Sequence, residues 1–178
     1  GFPGYLLHRA VEDYSRPLIQ LCKDPMWSKS TPLTEQETLC GIPGKKFIDA
    51  MNVSTSAGFG FDGKKKDWII EEVDETTQLL SRQLGPEIRA EVDRLHSAYK
   101  RGERAYPTSV ACKKDEVLSK PKCRIFFNSS FASIFLVRKY FLPIVRIMQM
   151  NPLLAECAVG VNAHSAEWEE MAKFMSKF

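Results

Sequence analysis

Between Gly85-Pro86 and Gly102 the apolar side chains of Ile88, Val92, Leu95 and Tyr99 recur at the spacing of one helical face. Glu87, Arg89, Glu91 and Arg94 stand between them. A short helix of this kind is marginal alone in water and must lay its stripe on a core. The pattern predicts a helix over 87–100, ended by Gly102, and commits the chain to packed elements. The composition agrees: 178 residues that are 44% hydrophobic and 26% charged have the proportions of a globular protein. A disordered tail, a collagen-like fibre and a coiled coil are excluded. The longest uncharged stretch, Ile125 to Val137, is short and contains Asn128, Ser129, Ser130 and Ser133, so no membrane span is expected.

Around that helix the punctuation predicts an α+β chain. Prolines at 3, 17, 25 and 32 divide the first forty residues into short helices and irregular segments. Gly41-Ile42-Pro43-Gly44 is a turn, and a short helix is expected over Lys45–Met51. Val53 to Gly63 is small, polar and glycine-bearing, hence an ordered loop. Lys64 to Arg82 reads as a helix, with its basic start lying in the loop because cations oppose a helix N-terminus. Thr108–Cys112 and Cys123–Phe127 read as two strands of a β-ribbon joined by a charged turn. Phe131 to Met150 is apolar on most sides, which predicts a buried helix bent or capped near Pro143. Ser165 to Phe178 predicts a helix with Ser165 as N-cap. It reaches Phe178 uncapped, and the chain opens on Gly1 rather than Met; both suit a segment of a longer protein.

The charge is placed rather than abundant. Overall, 25 basic residues meet 22 acidic ones, a net of +3. From Lys100 to Arg124 eight basic residues (100, 101, 104, 113, 114, 120, 122 and 124) meet three acids (103, 115 and 116), leaving five positive charges. Lys120, Lys122 and Arg124 are spaced by two, so on a strand they share one face. Such a row suits polyphosphate or an RNA backbone, and equally a solvated strand edge; composition leaves both open. The five cysteines include no C-x-x-C, and the three histidines match no metal-binding spacing, so neither a disulfide framework nor a metal site is expected.

Gly58, Gly60 and Gly63 form a literal G-x-G-x-x-G. A dinucleotide fold needs a buried strand before these glycines, a helix opening on them and an acid about twenty residues on. Met51 to Ser56 is no such strand, and Gln78 to Gln83 contains no acid, which disfavours a dinucleotide-binding oxidoreductase. Ser54-Thr55-Ser56-Ala57-Gly58 has a simpler use. Small side chains let backbone approach a phosphate chain while hydroxyls and N–H groups donate to its oxygens.

Both segments resemble one family. Ser54-Thr55-Ser56-Ala57-Gly58-Phe59 followed by Gly63-Lys64-Lys65-Lys66-Asp67 is similar to a loop of the RNA-dependent RNA polymerases of picorna-like positive-strand RNA viruses. Lys114-Asp115-Glu116, then Lys120, Lys122 and Arg124, resembles the basic finger motif of the same enzymes. Asn151-Pro152, Ala158-Val159-Gly160-Val161-Asn162 and Trp168 resemble the next block, in the same order. The likeness covers about residues 40 to 178. It departs after Lys-Asp-Glu, where Val117 and Leu118 stand in place of an arginine and the turn is shorter than in enteroviral members.

The resemblance implies the fingers-side portion of a right-hand polymerase. Residues 1–40 would form an N-terminal, index-finger-like segment, and residues 41–178 the region carrying the loop and the basic motif. Palm and thumb would lie outside the chain. Thr55, Ser56, Ala57, Gly58 and Lys120 are then expected on template RNA, and Lys114, Lys122 and Arg124 on the incoming nucleoside triphosphate. The partners implied are RNA template and primer, nucleoside triphosphates, and the same polymerase's palm and thumb. The place implied is a viral replication complex in host cytoplasm. Family members join nucleotides with Mg²⁺ held by aspartates of a D-x-x-x-x-D and a Gly-Asp-Asp. The one aspartate pair of that spacing here, Asp62 and Asp67, flanks the lysine run and is out of place, so no catalytic or metal-binding residue is expected on this chain, which should be inactive alone. A stand-alone RNA-binding module is the alternative that the same basic turn allows.

Overall fold

A computed structural model of the chain describes residues 3–24, 32–76, 78–115, 117, 119 and 122–177. The chain divides into two compact units, residues 33–140 and residues 1–32 with 141–178. The architecture is α+β, and the described strands form two separate antiparallel pairs.

In the 33–140 unit, helix α2 (Glu35–Cys40) opens on a reciprocal cap: Glu37 N–H donates to Thr34 Oγ1 at 3.2 Å, and Thr34 N–H donates to the Glu37 carboxylate at 2.8 Å. No helix forms over Lys45–Met51; turns occupy that stretch, held by Ile42 N–H on Ile48 O and Met51 N–H on Leu39 O. Nor does a helix run from Lys64 to Arg82. A 3₁₀ turn (Lys65–Trp68) leads into strands β1 (Ile69–Val73) and β2 (Leu80–Leu84), paired antiparallel. A helix there would have stacked Glu71 on Asp74 and Glu75, three and four residues on, like charges against like. The hairpin instead sets Glu71 opposite Arg82, 2.7 Å apart, and Asp74 Oδ1 accepts from Thr76 N–H at the turn.

Helix α3 (Pro86–Lys100) forms where its periodicity required. Ile88, Val92 and Leu95 are buried as expected, but at the last turn Ala98 is buried and Tyr99 is exposed; Gly102, with φ of 74°, follows. It packs in one core with Leu39, Met51, Ala57, Leu84, Phe131, Ala132, Phe135 and Leu136. Glu35 clamps this side: it takes two hydrogen bonds from Arg89, at 2.7 and 2.9 Å, and a third from Leu84 N–H at 2.7 Å.

Strands β3 (Ser109–Lys113) and β4 (Ile125–Ser129) form the expected ribbon, but its character differs from expectation. Of the ten paired residues only Lys113 is basic. Lys122 and Arg124 precede β4 rather than lying in it, and Lys120 lies outside the described residues. The ladder favours β-branched and aromatic side chains, so Ile125, Phe126 and Phe127 take the strand and the cations are left to its approach.

Helix α4 (Phe131–Met150) starts in this unit and continues through Pro143 without a break. Its burial is one-sided. Phe131, Ala132, Phe135, Leu136 and Ile147 are buried, whereas Val137, Phe141, Ile144, Val145 and Met150 are exposed, so the helix read as buried is buried only in part. In the other unit, α1 (Gly4–Lys23) is a single helix of 20 residues, not several short ones. Pro17 removes only one donor from it, and His8–Glu12 and Arg9–Asp13 pair along its surface. Helix α5 (Ala166–Met175) begins as expected, with Ser165 Oγ accepting from Glu167 N–H. No described helix is long and apolar enough to cross a membrane.

Truncating Ile88, which is fully buried in this core, is expected to cost about 2–5 kcal/mol. Urea denaturation of Ile88→Ala against the parent chain measures it; a change below about 0.5 kcal/mol would contradict the placement of α3.

Candidate nucleic-acid interface

The Ser54–Gly58 segment is a loop built to hold its shape. Asn52 starts it, its side-chain oxygen accepting from Ser54 N–H at 3.0 Å and its carbonyl from the Thr55 hydroxyl at 3.0 Å. Ser56 bridges to Lys64, and three backbone bonds close the base: Ala57 N–H to Gly63 O, Lys65 N–H to Thr55 O, and Lys66 N–H to Val53 O. Asp67 turns back to accept from Lys64 N–H at 2.8 Å, which gives this aspartate a structural task. The Trp68 indole N–H donates to Asp62 O at 2.7 Å and meets Phe61 edge-on at 5.0 Å.

The three lysines that follow the loop do not act alike. Lys64 and Lys66 are exposed, but Lys65 is only 5% exposed and points back into the loop. Its ammonium donates to Thr55 Oγ1 at 2.5 Å and to Ser56 O at 2.8 Å. Burial pushes its pKa down. Lys65 therefore braces the loop from within, which a run of three lysines in the sequence did not distinguish from surface charge.

The loop is docked on the junction of β4 and α4. Ala57 is fully buried, and its carbonyl accepts from Phe131 N–H at 2.8 Å, satisfying a first-turn donor of α4. Gly58 has φ of 83°, and a Cβ there would stand 2.4 Å from Ser129 O, so no other residue fits. Asn128 Nδ2 donates to Ser56 Oγ at 3.1 Å, the same oxygen that accepts from Gly58 N–H at 3.1 Å. Thr55 and Ser56 remain exposed on the outer side.

At the other end of the ribbon stand the cations. Lys114 N–H donates to Arg124 O at 2.8 Å, continuing the ladder one step beyond Lys113 and Ile125. By alternation Lys114 and Arg124 share a face with Cys112 and Phe126, and with Val110 and Asn128. Both side chains are exposed, as is that of Lys122. One ribbon face thus runs from Arg124 through Phe126 to Asn128 and the loop, with Arg124 and Asn128 about 13 Å apart at the rise of an extended strand. Lys114, Lys122 and Arg124 stand near one end of β4 and Thr55, Ser56, Ala57 and Gly58 at the other; Lys120 lies outside the described residues. Asn128 and Lys65 were absent from the sequence-based set; neither type nor spacing singles them out. Among the described residues no group of three or more His, Cys, Asp or Glu could hold a metal ion. The five cysteines are unpaired with one another.

Lys65→Met keeps the length of the brace and removes its donors. Hydrogen exchange at the amides of Ala57, Lys65 and Lys66 is expected to accelerate roughly tenfold or more, as befits the loss of hydrogen bonds from a charged group. Unchanged protection would contradict the brace. The pH dependence has a definite sign. Because the folded chain binds the Lys65 proton less tightly than the unfolded chain, folding of the parent gains on Lys65→Met as pH rises towards the ordinary lysine value of about 10.4. Denaturation of both at pH 7 and pH 10 measures that widening gap.

Known proteins share both sequence and fold with the chain. The family described as viral RNA-dependent RNA polymerase matches residues 23–178. The genome polyprotein of Deformed wing virus is 29% identical over 155 residues, covering 80% of this chain and 5% of the polyprotein. The RNA1 polyprotein of Red clover mottle virus is 30% identical over 160 residues, 79% of this chain and 8% of that one. The replicase polyprotein of Drosophila C virus is 29% identical over 154 residues, 79% of this chain and 8% of that one. The chain thus spans less than a tenth of the length of these relatives. Among solved structures, a Sicinivirus 3Dpol RNA-dependent RNA polymerase superposes with a TM-score of 0.58 at 18% identity, over 86% of this chain and 31% of that one, a likeness of fold. With its family match running through the loop, the ribbon and the Trp168 helix, the chain belongs to the viral RNA-dependent RNA polymerases.

Proposed function

We propose that this chain is the fingers-side part of an RNA-directed RNA polymerase, which positions template RNA and incoming nucleoside triphosphate for nucleotidyl transfer in viral genome replication. The observation that carries the reading is the shared ribbon face, with cations at one end and a rigid hydroxyl-bearing loop at the other. Residues 1–40 would be an index-finger-like segment and residues 41–178 the fingers region. Palm and thumb would come from other parts of the longer polyprotein, in keeping with the 31% of the Sicinivirus chain that this one covers. The setting would be a replication complex in host cytoplasm.

In this reading Thr55, Ser56 and Gly58 meet the template backbone, while buried Ala57 anchors the loop that presents them. Exposed Lys64 and Lys66, with Lys120, add attraction to phosphates that does not depend on base sequence. Lys114, Lys122 and Arg124 hold the triphosphate, and the planar Arg124 guanidinium is suited to gripping two phosphate oxygens at once. Their positive charge offsets the negative charge of the departing pyrophosphate. Mg²⁺ would be bound by the aspartates of a D-x-x-x-x-D and a Gly-Asp-Asp, motifs that residues 1–178 do not carry in the family's place. This chain alone would bind and orient without turnover.

In the intact polymerase, Arg124→Ala is expected to raise the KM for nucleotide by roughly 10–100-fold, the worth of charge-assisted hydrogen bonds, and Arg124→Lys by less. Template affinity should stay within about twofold. Steady-state incorporation with an unchanged nucleotide KM would sink the role given to Arg124.

A further inference from the structure

Ser56 and Thr55 are neighbouring exposed hydroxyls, yet the structure leaves them with different capacities. The hydrogen of Thr55 is used within the loop, on the carbonyl of Asn52 at 3.0 Å. Ser56 Oγ accepts twice, from Gly58 N–H and from Asn128 Nδ2, each at 3.1 Å. A serine hydroxyl has two acceptor lone pairs and one hydrogen. With both lone pairs taken, Ser56 can act outward only as a donor. A phosphodiester oxygen, which only accepts, is the complementary group; a base amino group or a ribose hydroxyl seeking an acceptor is not.

We infer that Asn128 is a positioning residue: its amide, reaching from β4, turns the Ser56 hydroxyl into a dedicated donor aimed at a template phosphate. The inference rests on the template role proposed for the loop and goes beyond it by naming the atom, its polarity and the residue that sets it. Asn128 also places that donor on the ribbon face that carries Arg124. The β4 backbone therefore fixes one phosphate contact of the template relative to the triphosphate site.

The test reverses the amide. In Asn128→Asp the side chain only accepts, so the Ser56 hydrogen turns inward and is lost to the template. The added negative charge also repels RNA, and the same substitution in a Ser56→Ala background measures that repulsion alone. Affinity of the intact polymerase for a short single-stranded RNA, read by fluorescence anisotropy, is the measured quantity. It is expected to fall about tenfold more for Asn128→Asp with Ser56 present than in the Ser56→Ala background. Asn128→Ala removes one of the two donors without adding charge, and its expected loss of about threefold should vanish once Ser56→Ala is also present. Nucleotide KM should stay unchanged at saturating RNA in both variants, which general misfolding would not spare. Equal losses with and without Ser56→Ala for both variants would overturn the inference while leaving the template reading intact. Full RNA affinity in Ser56→Ala alone would instead overturn the template reading itself.

Discussion

A single hydrogen bond, from Phe131 N–H to the carbonyl of Ala57, organises the larger unit. The first amides of a helix have no partner within it and need one where they are buried. Phe131 is fully buried, so its amide cannot turn to water, and α4 can begin there only if something supplies an acceptor. The 54–58 loop does so. That bond draws Ala57 into the core beside Leu39, Ile88 and Leu95, brings Gly58 against Ser129, and leaves Thr55 and Ser56 facing outward. Helix start, core and exposed hydroxyls are thus consequences of one buried amide.

Much of this was legible where local chemistry and burial agree. The α3 helix, the Gly102 stop and the Ser165 cap each combine a side-chain pattern with a terminating residue, and they formed as read except that the last turn of α3 buries Ala98 and leaves Tyr99 exposed. The G-x-G-x-x-G was rightly set aside, because a 3₁₀ turn and an antiparallel hairpin follow it in place of a nucleotide-binding helix and parallel strand. Segment 64–82 misled because its acids suggested a helix when read for charge in sequence order. The real partner of Glu71, Arg82, lies across a turn, and cross-strand pairing is invisible to helical spacing. Pro17 was given too much weight as a breaker, and the alternation of Lys122 and Arg124 was read as a strand that starts only at Ile125.

The site divides in the same way. Residues whose type announces their chemistry, such as Arg124 and the Thr55-Ser56 hydroxyls, could be put forward as candidates from the sequence. Residues that act by holding others could not. Lys65 is one of three consecutive lysines and differs from its neighbours only in facing inward. Asn128 sits in a strand among phenylalanines and acquires its partner only when the chain brings together residues 72 positions apart. A role that consists of a contact exists only in three dimensions.

The close approach at Gly58 also bears on how this surface can vary in sequence. With Ser129 O 2.4 Å from where a side chain would begin, position 58 is closed to every amino acid but one, and Ala57 beside it is fully buried. On the template role proposed for the loop, variants that alter its grip would arise at its exposed positions, at Asn52, Thr55, Ser56, Lys64 or Lys66, or at Asn128 behind them. An inhibitor that pressed on the Gly58 backbone itself would meet a surface with few routes of escape.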